Sequence, residues 1–504
     1  MKKLIASLKW IDNNLLKILV IGSIFIIPLY PKKPFMPIEY TYISIRLEDF
    51  YVVLMSLVFF IQLLRKKIEL NKRFFILFML FWMAIGASLL MGYFVHKTIP
   101  HFNIGLLHSG RRVEYMILFF IAAVSIRTKK DFYQIISMLP IVITLACLYG
   151  IGQKFLGFPA WQTMNPAFAR GMTLYLTPEA RVSSTFAGHY DFAAYLVLTM
   201  PIILGLYFWK RKLAYFLIFI LSLFLLVLTA SRISYIAYII SIFSLLIFLK
   251  KPKQFLIVLV FTIAMTAFSS NLTSRFLKTF QVKQIFINDQ TGNAIVPQKI
   301  SSKDLPAGSF YVEIKKNGTD AATQQNADYL KNKILSDVRE EASRSGKTLT
   351  SSEEAQMVAT LSANLKPINT VVSDISFATR LQIEWPRAVN SFMKDPLFGT
   401  GPSSITESTD NDFLRWIGEF GAIGTGIFLF IIFSIAKFIF SKMKTLEKIE
   451  RPLYWGFLFG IAALLINAAY IDVFEASKVA YTFWTICGLF IGSFLIEEQK
   501  TVKI

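Results

Sequence analysis

Two stretches of the sequence each place an arginine that can bind an anion beside an apolar run, and the first also holds residues that can accept a proton. In the first, Arg181 precedes the pair His189-Tyr-Asp191 by a short segment rich in Ser, Thr and Gly. In the second, Arg232 follows Ser231 in a tight turn between two apolar runs. A guanidinium can hold a phosphate through two parallel hydrogen bonds, and an imidazole or a carboxylate can act as a general base. These residue types favour chemistry on a phosphate-bearing substrate.

Two further stretches, later in the chain, carry residues of the same kinds. One contains Arg380 and is followed by a Gly/Pro turn over residues 395–402. The other leads directly into an apolar run and holds Asp410, Asn411, Asp412 and Glu419. Carboxylates at such a position can serve as general bases that face a pocket.

Each stretch also has a purely structural interpretation. Asp191 would be stabilised at a helix N-terminus by the helix dipole, and Arg232 would simply reach the membrane surface. The segment around Arg380 would be an amphipathic helix that Trp385 anchors on the bilayer. Asp410 would cap the helix that follows it. The residues alone leave both interpretations open.

The elements that hold these residues belong to a membrane protein. The 504 residues are 55% apolar and 17% charged, against roughly 45–50% and about 25% in soluble proteins. This composition excludes a disordered chain, a collagen-like chain and an ordinary soluble enzyme. The sequence has no nucleotide-binding loop, zinc pair or nucleophile elbow. Cys147 and Cys487 fall inside apolar runs without a disulfide or metal pattern. We therefore expect neither a metal nor another cofactor.

Apolar runs of about 20 residues, the length that crosses a bilayer, predict twelve transmembrane helices. They lie near residues 13–31, 49–64, 74–95, 113–126, 132–152, 190–209, 213–229, 232–249, 254–269, 420–440, 453–472 and 479–496. The predicted fold class is an all-α polytopic membrane protein with one large extracytoplasmic α+β loop between helices 9 and 10.

The predicted organisation has three parts. Residues 1–269 hold helices 1–9 with an outside loop at 153–189, residues 270–419 form the large loop, and residues 420–504 hold helices 10–12 and a cytoplasmic tail. The loop is predicted to contain one or two hairpins over residues 286–314. Its predicted helices cover residues 327–345, 352–365 and 377–392, the last one kinked at Pro386. The sequence assigns no role to the insertion 285–365.

Lys and Arg concentrate in alternate connecting segments, which is typical of membrane proteins with basic cytoplasmic loops. Placing both termini in the cytoplasm puts basic clusters such as 65–73 and 442–451 inside, and residues 270–419 outside. The net charge of +21 is then largely a topology signal, so we expect no nucleic acid as a partner.

In their order and sidedness, the four stretches resemble the O-antigen ligase and polymerase superfamily of bacterial membrane glycosyltransferases. The matching motifs are Arg181 to Phe186, Ser231-Arg232, Arg380 with Pro396 to Gly401, and Asp410 to Gly424. The resemblance covers roughly residues 150–440. The first five predicted helices match only in being hydrophobic.

The resemblance implies an enzyme that moves or polymerises a glycan from an undecaprenyl-diphosphate donor to an acceptor hydroxyl, without a metal. The reaction would take place at the outer face of the cytoplasmic (inner) membrane and build a surface polysaccharide or a glycoconjugate. The resemblance assigns Arg181, Arg232 and Arg380 to the donor diphosphate, where guanidinium groups would stabilise the growing charge of the leaving group. The acceptor, whether sugar, lipid or protein, stays open, as does the choice between ligase, polymerase and protein glycosyltransferase.

One position departs from the superfamily pattern. Ligases of the superfamily carry a histidine, their proposed base, where this chain has Asp410. Either Asp410 performs that task, or His189 does, or the transfer differs from the ligation to lipid A. Asp410 and His189 are therefore both catalytic candidates. Four further residues are expected to support them: Asp191, Asn411, Asp412 and Glu419.

Two other classes of function are compatible with a polytopic chain. A transporter of a small anion or sugar would place ionisable residues or broken helices at mid-membrane, often in repeats, whereas the candidates here cluster at the outer ends of the predicted helices. A non-catalytic envelope scaffold would use the large loop only to bind partners. Full activity of Arg232→Ala would favour the scaffold, and solute uptake into proteoliposomes would identify a transporter.

Overall fold

The computed structural model describes residues 2–38, 44–163, 166–277, 280–288, 294–295, 332, 334–336, 338–339, 350–363, 365–373, 379–405 and 408–501. Contacts divide the chain into two units. The first, here the helical unit, comprises residues 1–273 and 387–504, and the second, the inserted unit, comprises residues 274–386.

The first part of the helical unit is a series of apolar helices. They are α1 (Lys2–Leu29), α2 (Leu47–Leu64), α3 (Lys72–Leu90), α4 (Phe102–Ser125), α5 (Lys129–Ile136), α6 (Leu139–Phe155), α7 (Pro166–Ala169), α8 (His189–Lys210), α9 (Leu213–Thr229), α10 (Arg232–Phe248), α11 (Pro252–Ala267) and α12 (Ser270–Leu277). A π-helical turn, Met91–Val95, continues α3. Two short antiparallel pairs lie in the connections: β1 (Met36–Pro37) with β2 (Ser44–Ile45), and β3 (Pro159–Ala160) with β4 (Leu174–Tyr175).

The inserted unit contains a three-stranded antiparallel sheet in the order β6-β5-β7. Its elements are β5 (Phe280–Asn288), β6 (Ala294–Ile295), α13 (Ser351–Ala363) and β7 (Leu365–Ser373). Phe286 lies opposite Ile295, and β5 pairs along its whole length with β7, from Phe280 opposite Ser373 to Asn288 opposite Leu365. The β5–β6 hairpin overlaps the start of the predicted hairpin region, and residues 296–314 lie outside the described residues. α13 matches the predicted helix at 352–365, whereas β7 was not predicted.

A π-helical turn, Arg380–Glu384, precedes the helix that leads back to the helical unit, α14 (Trp385–Lys394). The last helices are α15 (Asp412–Lys442), followed by a 3₁₀ turn at Met443–Thr445, then α16 (Arg451–Ala468) and α17 (Ser477–Thr501). Pro386, the second residue of α14, lies just after the π-helical turn at Arg380–Glu384 and has no backbone N–H to donate to that turn. The predicted kink in the helix at 377–392 therefore appears as a change from π-helix to α-helix.

Eight helical segments of the described chain are long and apolar enough to cross a membrane. They are Lys9–Leu29, Leu47–Leu64, Lys72–Val95, Lys129–Phe155, His189–Lys210, Asp412–Thr445, Arg451–Ala468 and Ser477–Ile496. The shorter apolar helices α9, α10 and α11 coincide with three more predicted spans. The remaining predicted span, near 113–126, lies in α4, which also carries the charged residues Arg111, Arg112 and Glu114. The chain is a multi-pass membrane protein, and the count of twelve spans stays a prediction.

Glycines allow the helices that carry the candidate residues to pack at close range. A Cβ atom on Gly456 of α16 would lie 2.3 Å from the carbonyl oxygen of Pro201 in α8. A Cβ atom on Gly488 of α17 would lie 2.2 Å from the carbonyl oxygen of Phe119 in α4. Small residues at helix interfaces let backbones approach in this way, and packing of this kind drives association within lipid. These contacts fix α8 and α17, whose N-terminal residues border the site described next.

Candidate active site

A cavity of about 410 Å³ lies at the N-terminal ends of α8, α15 and α17. Its lining is strongly charged and includes four cationic residues, two histidines and four carboxylates. They are Lys32, Arg46, Arg111, Arg415, His108, His189, Asp191, Asp410, Asp472 and Glu475. All of them belong to the helical unit. A concave site with convergent ionisable groups is the usual form of a binding or catalytic pocket.

The loop before α2 supplies one wall of this cavity. Lys32 Nζ lies 2.6 Å from Glu48 Oε1, and a guanidinium nitrogen of Arg111 lies 3.0 Å from Asp49 Oδ1. The other oxygen of Asp49 accepts a hydrogen bond from the backbone N–H of Arg46 at 2.8 Å. This bond closes the first turn of α2 in the manner of a capping box. Glu48 and Asp49 therefore fix the positions of the three cations.

The cations of this wall are deeply buried. Lys32 is 4% exposed and Arg46 is 5% exposed. Desolvation lowers the pKa of Lys32 from its ordinary value, and the neighbouring Glu48 carboxylate opposes that change. Desolvation also lowers the pKa of Arg46, where Glu48 and Asp49 oppose the change and Arg111 adds to it. Burial of positive charge at this density favours a site that receives an anion.

The segment that carries Asp410 is held by a carboxylate from the loop between α16 and α17. Asp472 accepts hydrogen bonds from the backbone N–H groups of Thr409, Asp410 and Asn411 at 2.9, 3.0 and 3.0 Å. A guanidinium nitrogen of Arg415 lies 3.0 Å from the same carboxylate. Asp410 adopts a left-handed conformation with φ 50°, which Asp and Asn tolerate better than other residues with a Cβ. Asp472 therefore sets the backbone from which Asp410 borders the cavity.

Asn411 and Asp412 complete this arrangement. The side-chain oxygen of Asn411 accepts from the backbone N–H of Leu414 at 3.1 Å and so caps α15. Asp412 in turn accepts from the backbone N–H groups of Val473 and Phe474 at 2.8 and 3.1 Å. The N-cap of α15 is thus Asn411, so the structural interpretation of Asp410 as its cap is wrong. Asp472 therefore binds the backbone of the segment before Asp412, and Asp412 binds the backbone that directly follows Asp472.

Glu419 lies in a buried ionic network beside the cavity. Its carboxylate lies 2.7 Å from a guanidinium nitrogen of Arg112 and 3.6 Å from one of Arg415. It also accepts from the backbone N–H of Ser403 at 3.2 Å. Arg112 makes a second ion pair, at 2.7 Å, with Glu475, which lines the cavity. With these partners, Glu419 supports the position of the cavity wall.

The turn around Pro396–Gly401 packs on an interruption of α15. Gly421 has φ 62° and ψ −168°, which are not helical values. The backbone N–H groups of Ala422 and Ile423 donate to the carbonyl oxygens of Pro396 and Leu397 at 2.8 and 3.2 Å. A Cβ atom on Gly421 would lie 2.3 Å from the oxygen of Leu397. The glycines of this motif therefore permit backbone contacts that place Glu419.

The other wall of the cavity is the start of α8. Gly188 is the N-cap, and His189 and Asp191 occupy the first turn. The His189 ring lies 4.0 Å from the ring of Tyr190. The guanidinium of Arg181 lies over the Tyr190 ring, 5.6 Å from its centroid. Tyr190 lines the cavity, so Arg181 contacts a lining residue without lining the cavity itself.

The structure brings some of the predicted residues together and separates others. His189, Asp191 and Asp410 line one cavity, with Asn411, Asp412 and Glu419 in the surrounding framework. Arg181 and Arg232 do not line that cavity. The backbone N–H of Val182 donates to the carbonyl oxygen of Leu228 at 3.3 Å, so the segments that hold these two arginines are adjacent. Arg380 belongs to the inserted unit. The convergence of these three arginines on one diphosphate stays a prediction.

Several residues of the cavity were missed from the sequence, among them Lys32, Arg46, Arg111, Arg415 and Asp472. A usable signal was present. Lys32 and Arg46 lie in a segment predicted to be outside, and Arg111-Arg112 precedes a predicted span on the same side. Basic residues are depleted from such segments by the positive-inside tendency, so the few that remain deserve a functional interpretation.

Residues 217–429 match the family model described as O-Antigen ligase. This range includes Arg232, Arg380, Asp410 and Glu419, whereas Arg181, His189 and the first wall of the cavity precede it. No curated protein gives a significant match to the chain. This match, over residues 217–429 of a multi-pass membrane protein, confirms the predicted resemblance to the O-antigen ligase and polymerase superfamily.

Proposed function

We propose that this protein is a membrane glycosyltransferase that takes a glycan from an undecaprenyl-diphosphate donor and transfers it to an acceptor hydroxyl. The family match supports a ligase- or polymerase-type transfer. The observation that carries the proposal is the cavity itself, where His189 and Asp410, the two candidate bases, share a lining with the cations Lys32, Arg46 and Arg111.

The proposed chemistry needs a group that orients and deprotonates the acceptor hydroxyl and groups that stabilise the leaving diphosphate. The acceptor oxygen attacks the anomeric carbon while the bond from that carbon to the diphosphate oxygen breaks. Positive side chains stabilise the charge that develops on the departing diphosphate. We propose Arg181, Arg232 and Arg380 for this task, so the reaction needs no metal. Asp410 or His189 orients the acceptor hydroxyl and takes its proton as the new bond forms.

The proposed topology places this cavity at the outer face of the cytoplasmic membrane, with both termini in the cytoplasm. It rests on the alternation of basic segments along the chain. A cysteine introduced at Ser302 or Asn326 should react with an impermeant reagent in intact cells. Labelling only after permeabilisation would reverse the orientation and with it the site of the reaction.

The direct test uses purified full-length protein and an undecaprenyl-diphosphate oligosaccharide in the presence of EDTA. Longer chains would identify a polymerase, and transfer to a lipid or protein acceptor would identify a ligase or a protein glycosyltransferase. Loss of the reaction in EDTA would contradict the metal-free mechanism. No consumption of donor with any acceptor class would contradict the proposed function.

A further inference from the structure

Arg46 stands apart from the other cations of the cavity in its partners. Its guanidinium donates one hydrogen bond, at 3.4 Å, to the carbonyl oxygen of Ser44. Its Nε is buried and has no partner among the residues that the structure describes. Within the same described residues it forms no ion pair with a carboxylate, although the side chain is only 5% exposed. Most N–H donors of the buried Arg46 guanidinium therefore make no hydrogen bond to the described residues.

The neighbouring carboxylates are already engaged by other groups. Glu48 pairs with Lys32 at 2.6 Å. Asp49 pairs with Arg111 at 3.0 Å and accepts from the backbone of Arg46. A buried charge without a partner is costly, and an ion pair with good hydrogen-bond geometry relieves that cost. Since Arg46 lines a cavity of about 410 Å³, a ligand can provide the missing anion.

We propose that Arg46, flanked by Lys32 and Arg111, forms an oxyanion subsite of this cavity that holds a phosphate or carboxylate group of the glycan substrate. The subsite rests on the proposed function for the identity of its ligand. It is distinct from Arg181, Arg232 and Arg380, and all three of its residues precede residues 217–429, which match the family model. The guanidinium of Arg46 provides parallel N–H donors that fit two oxygens of one oxyanion.

Two parts of a lipid-linked glycan can carry such oxyanions. One is the diphosphate of the lipid-linked donor, and the other is an acidic sugar within the glycan. His189 and Asp410 line the same cavity, so either group would be held in the same cavity as the candidate bases. The two sources differ in whether binding requires the diphosphate, which allows a direct separation by two probes.

Binding by the full-length protein in detergent would be measured for two probes. The first is an undecaprenyl diphosphate that bears a neutral oligosaccharide, and the second is a glucuronate-containing oligosaccharide without a diphosphate. Arg46→Gln should weaken binding of one probe by roughly tenfold or more, because it removes charge-assisted hydrogen bonds. Arg46→Lys keeps the charge but not the fork, so it should give an intermediate loss. The affected probe identifies the source of the oxyanion.

Arg65→Gln is the matched control, because Arg65 is an exposed arginine whose guanidinium bonds Asp12 at 2.8 and 3.0 Å. It should bind both probes as the wild type does. The fold should tolerate Arg46→Gln, since Arg111 also donates to the carbonyl oxygen of Ser44, at 3.3 Å. Wild-type affinity of Arg46→Gln for both probes, or no binding of either probe by the wild type, would overturn the subsite. Because binding requires no turnover, the subsite can be confirmed even if no transfer is observed. If transfer is observed but Arg46→Gln binds both probes like the wild type, only the subsite is wrong.

Discussion

Asp472 holds Asp410 in a left-handed backbone conformation from a loop that lies two helices later in the chain. The backbone N–H of Asp410 donates to the Asp472 carboxylate at 3.0 Å, and its φ is 50°. Two neighbouring N–H groups and Arg415 share the same acceptor. The candidate base is thus positioned by the backbone, and the charge of Asp472 balances that of Arg415.

This relationship predicts that Asp472→Asn reduces transfer although Asp410 is intact. An amide accepts fewer and weaker hydrogen bonds than a carboxylate, and bonds to a charged group are worth about 1.5–3 kcal/mol each. We expect kcat to fall by at least about tenfold with a smaller change in KM. Asp12→Asn also removes an arginine-paired carboxylate, remote from the cavity, and should leave both constants unchanged. Equal kcat in Asp472→Asn and wild type would show that Asp410 does not need this support.

A second prediction separates the two candidate bases. Asn tolerates the left-handed conformation nearly as well as Asp, so Asp410→Asn should keep the fold and remove only the carboxylate. We expect transfer to fall by about 10²–10⁴-fold, the usual contribution of general base catalysis, with donor binding retained. Should Asp410→Asn turn over normally while His189→Ala does not, the base is His189.

The buried network around Glu419 predicts a strong effect on stability. Glu419→Gln removes the charge that faces Arg112 and Arg415, and breaking a buried ion pair on one side typically costs about 3–5 kcal/mol. The cost should lie toward the lower value, because Arg112 keeps Glu475 and Arg415 keeps Asp472. Thermal unfolding in detergent would measure it. Glu447→Gln, at an exposed position, is the matched control and should unfold like wild type.

The interruption of α15 predicts opposite effects for two glycines of one helix. Gly421→Ala should destabilise the protein by at least about 1–3 kcal/mol, the usual cost of a strained backbone conformation, because Gly421 has φ 62°. The clash of the new Cβ with the carbonyl oxygen of Leu397 should add to this cost. Gly426→Ala meets nothing within 4 Å, and the higher helix propensity of Ala should make it neutral or slightly stabilising. Similar unfolding temperatures for the two variants would argue against the kink.

Asp395 links the Gly/Pro turn to the end of α3 and predicts a dependence on pH. Its carboxylate accepts from the backbone N–H groups of Leu397 and Phe398 and lies 2.9 Å from His96 Nε2. Burial opposes the charge, but the bonds from Phe398 and His96 outweigh it and lower the pKa of Asp395. A depressed pKa gives stability that is present above the unfolded value and is lost as pH falls through the folded value.

The measurement for Asp395 compares thermal unfolding of wild type and Asp395→Asn across pH. The wild type should be more stable at neutral pH, and the difference should shrink below about pH 4, near the ordinary pKa of an Asp. A difference that is constant between pH 3 and 7 would mean that the charge of Asp395 contributes nothing.

The sequence predicted the helices well because the requirement for a span is a long apolar run, and such runs are visible without tertiary information. It also selected His189, Asp191 and Asp410, which the structure places in one cavity. It missed Arg46 and Asp472 because the role of each residue depends on partners that are distant in the chain. β7, which contains Pro367, lies at the edge of the sheet, where a proline is tolerated. It was missed because its pairing with β5 joins segments that are distant in the sequence. The role of a single charged residue in a connection and the register of distant strands both depend on tertiary packing. The order of residues in the sequence does not show that packing.

The cavity draws residues from position 32 to position 477, and this has a consequence for biosynthesis. The chain is made from its N-terminus, so Asp410 leaves the ribosome before Asp472, the residue that holds it. The reciprocal bonds between Asp412 and the backbone at 473–474 also wait for the last connection. An incompletely inserted chain therefore carries every candidate base but no assembled site. Such a chain would lack the complete lining of the cavity until the connection before α17 is in place.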